Sequence, residues 1–266
     1  MKKLVIALAA AAAFTGSASA ADMAVKAARP MPQPVAPVYS WTGCWISGGG
    51  GYGIDKIDHD TSREGFLKTQ NSTSGLDGWL VTAGVGCDYQ FSGRWVIGGF
   101  VDGTWSNIKG DFADRISGIG DIAIGRIKND WSWSIGGRLG YAVAPNVLTY
   151  VNAGFTQTHF TGVDLFERFD EGGLFTGVQL PGQTFNGVFV GSGVEYSFDW
   201  LPGLFLKTEG RAAWFDRKDS IPTCVTCGSW FARLDNVDSR RPVTYIAKTE
   251  LVYRFNWGKQ PVVARY

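Results

Sequence analysis

Past its first residues the sequence has no apolar run of helical length, it holds only two histidines and four cysteines in 266 residues, and its charges nearly cancel. Each shortage removes a class of function. Without ~20 consecutive apolar residues, no segment can cross a bilayer as a helix. Two isolated histidines, His59 and His159, offer little with which to hold a metal or a haem, so neither a metal nor another cofactor is expected. They also lack the nucleophile and orienting partner that a lipid-modifying barrel enzyme needs, so no catalytic residue is assigned. A balance of 25 basic to 24 acidic residues points to neither nucleic acid nor an acidic ligand. Ten prolines and the absence of a long low-complexity run beyond residue 40 leave room for one domain.

What the chain has in quantity is glycine, at 36 residues, and aromatics, with 17 Phe, 11 Trp and 9 Tyr. Aromatics favour strands and membrane interfaces, and glycine lets strands curve and turn. The chain reads as all-β. Its first twenty residues carry Lys2 and Lys3, an apolar run from Leu4 to Phe14 and the small-residue pattern Ala18-Ser19-Ala20, which is the pattern of a secretory signal peptide. Residues 21–40 are proline-rich and without period, a periplasmic lead.

From residue 41 a period of two takes over. In residues 242–257, Tyr245, Ala247, Thr249, Leu251, Tyr253 and Phe255 share one face, and Lys248, Glu250, Arg254 and Asn256 share the other. The same alternation marks strands over residues 78–91, where Asp88 falls on the polar face, and over residues 95–109, 129–143, 183–198 and 204–215. Residues 41–54 and 147–160 complete a set of eight. Connections alternate between long (55–77, 110–128, 161–182, 216–240) and short (92–94, 144–146, 199–203). An outer-membrane barrel with both ends in the periplasm has this order. The expected fold is therefore an eight-stranded antiparallel transmembrane β-barrel over residues 41–257, with long extracellular loops, short periplasmic turns and a periplasmic tail at 258–266.

The polar face holds Asp102, Arg138, Glu195, Lys207, Glu209, Arg211, Lys248, Glu250 and Arg254. So many charges facing lipid or an apolar core would each cost several kcal/mol, so they belong in the lumen as a paired network. Among the cysteines, Cys224 and Cys227 form a C-x-x-C in the last long loop, read as a loop-tightening disulfide in an oxidising compartment. Cys44 and Cys87 fall on the apolar face near the periplasmic ends of adjacent strands. They are either a cross-strand pair or two small lipid-facing side chains.

The runs TGCWISGGGGYG at 42–53, GSGVEYSF at 191–198 and YRFNWGKQPVVARY at 253–266 resemble the small outer-membrane β-barrel proteins of α-proteobacteria. These immunogenic outer-membrane proteins are often grouped with porins, and their barrel looks like the OmpA transmembrane domain. The resemblance implies an outer-membrane location and functions that range from envelope integrity and host interaction to proposed haem binding. It also implies an assembly signal at Tyr253 and Phe255, read by the barrel-assembly machinery, with Glu250 where a glycine is usual. The function expected is a non-catalytic barrel that contributes to envelope structure and displays surface loops, with outer-membrane lipid and the assembly machinery as partners. The alternatives are a narrow porin-type channel for small hydrophilic solutes and a surface adhesin or receptor for host, environmental or haem ligands.

Overall fold

The computed structural model describes residues 40–63, 66–115, 122–167, 175–198, 200–224 and 236–255. The expected signal peptide, the lead up to residue 39 and the tail lie outside the described residues. In chain order the strands are β1 (Gly43–Arg63), β2 (Phe66–Phe91), β3 (Trp95–Arg115), β4 (Ile122–Ala144), β5 (Val147–Phe160), β6 (Val163–Glu167), β7 (Phe175–Leu180), β8 (Gln183–Ser197), β9 (Leu204–Phe215), β10 (Lys218–Ser220), β11 (Thr223–Cys224) and β12 (Asn236–Phe255). Eight of them close a ring in the order β1-β2-β3-β4-β5-β8-β9-β12, each antiparallel to the next. The seam runs unbroken from Cys44↔Phe255 to Arg63↔Asn236. Closure leaves no unpaired edge within the ring, which is what allows strands to cross a bilayer.

Within the membrane-spanning part the alternation has the sense expected from sequence. Ile97, Val101, Ile135, Leu139, Val151, Val190 and Leu251 face outward and are exposed. Aromatics flank them. Tyr52, Trp79, Trp105 and Tyr245 lie toward the extracellular end, and Tyr89, Phe91, Trp95, Tyr196, Tyr253 and Phe255 lie toward the end with the short turns. Such rings suit the two water–lipid boundaries. The β2–β3 turn places Ser92 and Gly93 at φ 51° and 75°, the left-handed backbone that a tight hairpin needs.

The long loops are where the structure departs from the sequence reading. Strand β1 continues to Arg63 and β2 begins at Phe66, so residues 55–77 are mostly hairpin rather than loop. Strands β3 and β4 likewise extend to Arg115 and from Ile122, β6 and β7 occupy part of 161–182, and β10, β11 and the start of β12 occupy part of 216–240. The cause is a change of solvent. Beyond Ile54 the outside of the barrel is water, so the facing rule inverts: Ile57, Leu76, Ile108, Phe112 and Ile127 point inward and are buried, while Lys56, Asp58, Lys109, Asp111 and Arg126 point outward. A pattern sought as apolar-out and charged-in is unreadable there. With 26 residues, β2 far exceeds the ~9–11 that a tilted strand needs to span the membrane, and the excess builds a second, extracellular tier with its own apolar core. At Asp130 the register of β4 shifts against both β3 and β5, so Asn129 and Ser134 both face inward on either side of the irregularity.

Candidate functional site

An eight-stranded ring has an interior only wide enough for side chains. All nine charges assigned to the lumen from sequence, Asp102, Arg138, Glu195, Lys207, Glu209, Arg211, Lys248, Glu250 and Arg254, are inward and buried. Asp88 joins them. Its place on the polar face is legible from the period of two, but nothing in the sequence marks it as more than a residue near the end of a strand.

The charges form two groups. Nearer the short turns, Arg138 donates to Asp88 at 2.7 and 2.5 Å and to Glu195 at 2.5 Å. Arg254 donates to Asp88 at 2.5 Å and to Glu195 at 2.8 Å. Cation and anion therefore alternate around a closed quartet drawn from β2, β4, β8 and β12. Aromatic faces cover it: Arg138 lies 4.9 Å from the Trp45 ring and 5.1 Å from Tyr150, and Arg254 lies 5.4 Å from Trp41 and 5.3 Å from Phe205. Trp41 closes the periplasmic mouth. Its backbone nitrogen donates to Gln90, and its carbonyl accepts from Arg254 at 3.0 Å.

Further up, Arg211 holds Asp102 with two bonds of 3.1 and 2.6 Å and also reaches Glu209 at 2.9 Å. Lys248 donates to Asp102 at 3.0 Å, and Lys207 meets Glu250 at 2.5 Å. Tyr150 and Asn152 complete the Glu209 carboxylate at 2.9 and 2.8 Å. These two β5 residues escape the sequence reading because both faces of residues 147–160 mix polar with apolar side chains. Inward glycines supply the space. A Cβ at Gly98 would stand 1.9 Å from Asp88 Oδ1, and one at Gly86 would stand 2.4 Å from the Trp45 ring.

Above the charges lies a layer of hydroxyls and amides, with Thr104, Ser106, Asn129, Thr156 and Thr158 around a cavity of about 20 Å³, room for one water. Asp55 accepts here from Asn129 at 2.9 Å and from Thr244 at 2.5 Å. The buried apolar side chains of the outer tier, Ile57, Ile108, Phe112, Phe160 and Phe185 among them, cap this layer. From the periplasmic mouth to the outer tier the lumen is filled.

The cysteines and histidines divide differently. Cys44 and Cys87 are directly opposed in the β1–β2 register and joined by a disulfide, which settles the choice left open by sequence. The Cys224–Cys227 pairing reaches Cys227, outside the described residues. His59 is not a surface residue: it points inward on β1, buried, with its ring 4.5 Å from Phe112. His159 is outward and half-buried, 2.7 Å from Asp130 and stacked on Trp131. Tyr253 and Phe255 lie outward on β12 with rings 5.0 Å apart. Among the described residues no three His, Cys, Asp or Glu side chains converge as metal ligands.

No family model matches the chain. It is 31% identical over 161 residues to the 31 kDa outer-membrane immunogenic protein of Brucella melitensis biotype 1, and equally to that of Brucella suis biovar 1. The match takes in 57% of this chain and 64% of the relatives' length, so it spans less than two thirds of either curated protein. Among solved structures, the outer membrane protein OprG from Pseudomonas aeruginosa superposes with a TM-score of 0.51 at 13% identity, covering 80% of this chain and 97% of that one. That likeness is one of fold. With an outward apolar belt, two aromatic rings and a closed antiparallel ring, the chain is a small outer-membrane β-barrel.

Proposed function

We propose that this barrel is a closed structural and surface-displaying protein of the outer membrane, neither a diffusion pore nor a catalyst. The observation that carries this reading is the lumen, where five cations (Arg138, Lys207, Arg211, Lys248, Arg254) are matched by five carboxylates (Asp88, Asp102, Glu195, Glu209, Glu250), capped by aromatic rings below and an apolar core above. Opening a solute path would require parting several buried ion pairs together, and leaving even one such charge unpaired costs ~3–5 kcal/mol. The outer tier supports the display role, because its strands hold the surface segments on a packed core rather than on free loops. His159 and Asp130 are close to one another, but the ring lies against Trp131 on the outer wall, a setting that fits a boundary contact.

Single-channel recording in a planar bilayer tests the reading. The folded wild-type protein is expected to pass no stable current. Steps of defined conductance whose ion selectivity changes in Lys207→Ala or Glu209→Ala would make it a narrow channel instead.

A further inference from the structure

We propose that the Cys44–Cys87 disulfide is a register pin, made by a periplasmic dithiol oxidant on the unassembled chain, that sets the glycine-rich first strand before the last strand closes against it. Strand β1 must be rich in glycine where it meets β12. A Cβ at Gly49 would fall 2.1 Å from the carbonyl oxygen of Thr249, and one at Gly51 would fall 2.2 Å from that of Ala247. The close approach of the two backbones at the seam excludes larger residues. Gly48 and Gly50 leave the outward face equally bare, so little in this stretch distinguishes the native pairing from one slipped by two residues, which keeps every face unchanged. Glycine-rich strands specify register weakly. The other contacts that could help, Tyr52 with Asp77 and Thr73 with Asp58 toward the extracellular end and Trp41 and Thr42 with Gln90 at the periplasmic end, are hydrogen bonds and reversible. The disulfide is covalent and in register, and it fixes the β1–β2 ladder from Gly43↔Asp88 to His59↔Ser72.

Its position also dates its formation. The sulfurs face outward, with Ile46 and Val85 beside them toward the membrane centre and Tyr89 and Phe91 following on β2 toward the periplasmic end. Disulfide exchange needs a thiolate, and an apolar surrounding disfavours that charged form. A folded oxidant has no approach to them once lipid covers this belt. Oxidation therefore belongs to the periplasmic stage. One cysteine thiolate attacks the oxidant's disulfide to give a mixed disulfide, and the second thiolate displaces the oxidant. Two protons and two electrons leave the pair, and the oxidant departs as its dithiol. Cys44 is also directly opposite Phe255 across the seam, so pinning it presents β1 in a fixed frame to the closing strand.

Two experiments on the full-length protein decide the matter. In pulse-labelled cells quenched with an alkylating reagent, the Cys44–Cys87 bond is expected in chains that have not yet reached the heat-modifiable, folded form. Unassembled chains found with both thiols free would overturn the timing. In the second, Cys44→Ser/Cys87→Ser is expected to lower the yield of assembled barrel severalfold. Adding Ile46→Cys/Val85→Cys to it, the next in-register pair on the same face, is expected to restore assembly, whereas Ile46→Cys/Ala83→Cys, two residues out of register, is not. Assembly of the double serine variant at the wild-type level, or equal rescue by both cysteine pairs, would show that the bond does not set register.

Discussion

Arg254 concentrates what the lumen asks of a single side chain. It bonds Asp88, Glu195 and the Trp41 carbonyl while lying between two aromatic rings, so its guanidinium is paired on its edge and covered on its faces. Replacing it with Met keeps the bulk but leaves two carboxylates sharing one cation, Arg138. Arg254→Met is expected to lower the unfolding free energy by ~3–5 kcal/mol, read from urea unfolding in lipid vesicles. By contrast, Arg217 pairs with Asp60 at 2.6 Å on the half-exposed outer tier, and Arg217→Met is expected to cost no more than ~1 kcal/mol. At this scale the sequence is legible wherever a charge falls on a face whose neighbours are plainly apolar, as with Arg138 between Leu139 and Gly137. It is not legible for Trp41, Trp45 and Phe205. Their residue type predicts the lipid boundary, whereas the structure uses them to cover buried guanidinium groups, a role that depends on which arginine the fold brings beneath each ring.

Along a strand, the sense of the period of two matters more than the period itself. Strand β3 shows both senses: Val101 faces lipid beside inward Asp102, and Asp111 faces water beside inward Phe112. A lysine is thus expected to have opposite consequences ten residues apart. Val101→Lys places a charge near the centre of the apolar belt and is expected to cost ~2–4 kcal/mol, whereas Asp111→Lys in the outer tier, which loses only an exposed pair with Arg126, is expected to cost no more than ~1 kcal/mol, both measured by the same unfolding assay. This inversion explains why the bounds of β5 and β9 agree with the sequence reading while the upper halves of β1 to β4 do not. The first pair barely leaves the membrane. The others cross into water, where an apolar-in face and polar connecting residues look like irregular loop when read with the membrane's rule. The irregularity at Asp130, which shifts the alternation within β4, hides the crossing further.

For the whole molecule the two tiers share one continuous wall but depend on different solvents. The spanning tier is held in lipid by its outward belt and filled inside by charges. The outer tier is a water-facing assembly whose apolar core also encloses a buried Arg240–Asp238 pair, and it makes the barrel blind at its extracellular end. The eight-stranded ring and its nine sequence-assigned lumen charges follow from alternation and from the order of long and short connections. Their partition into an alternating quartet and a larger group does not, because that depends on the stagger of strands around the ring, which no single strand's pattern records. The filled lumen has an electrical consequence. Moving one net charge through a potential of 100 mV is worth ~2.3 kcal/mol, which is how voltage opens a gated protein. In the two charge groups five positive and five negative side chains are locked to one another, so these groups together carry no net charge, and a potential of either polarity finds nothing in them to pull.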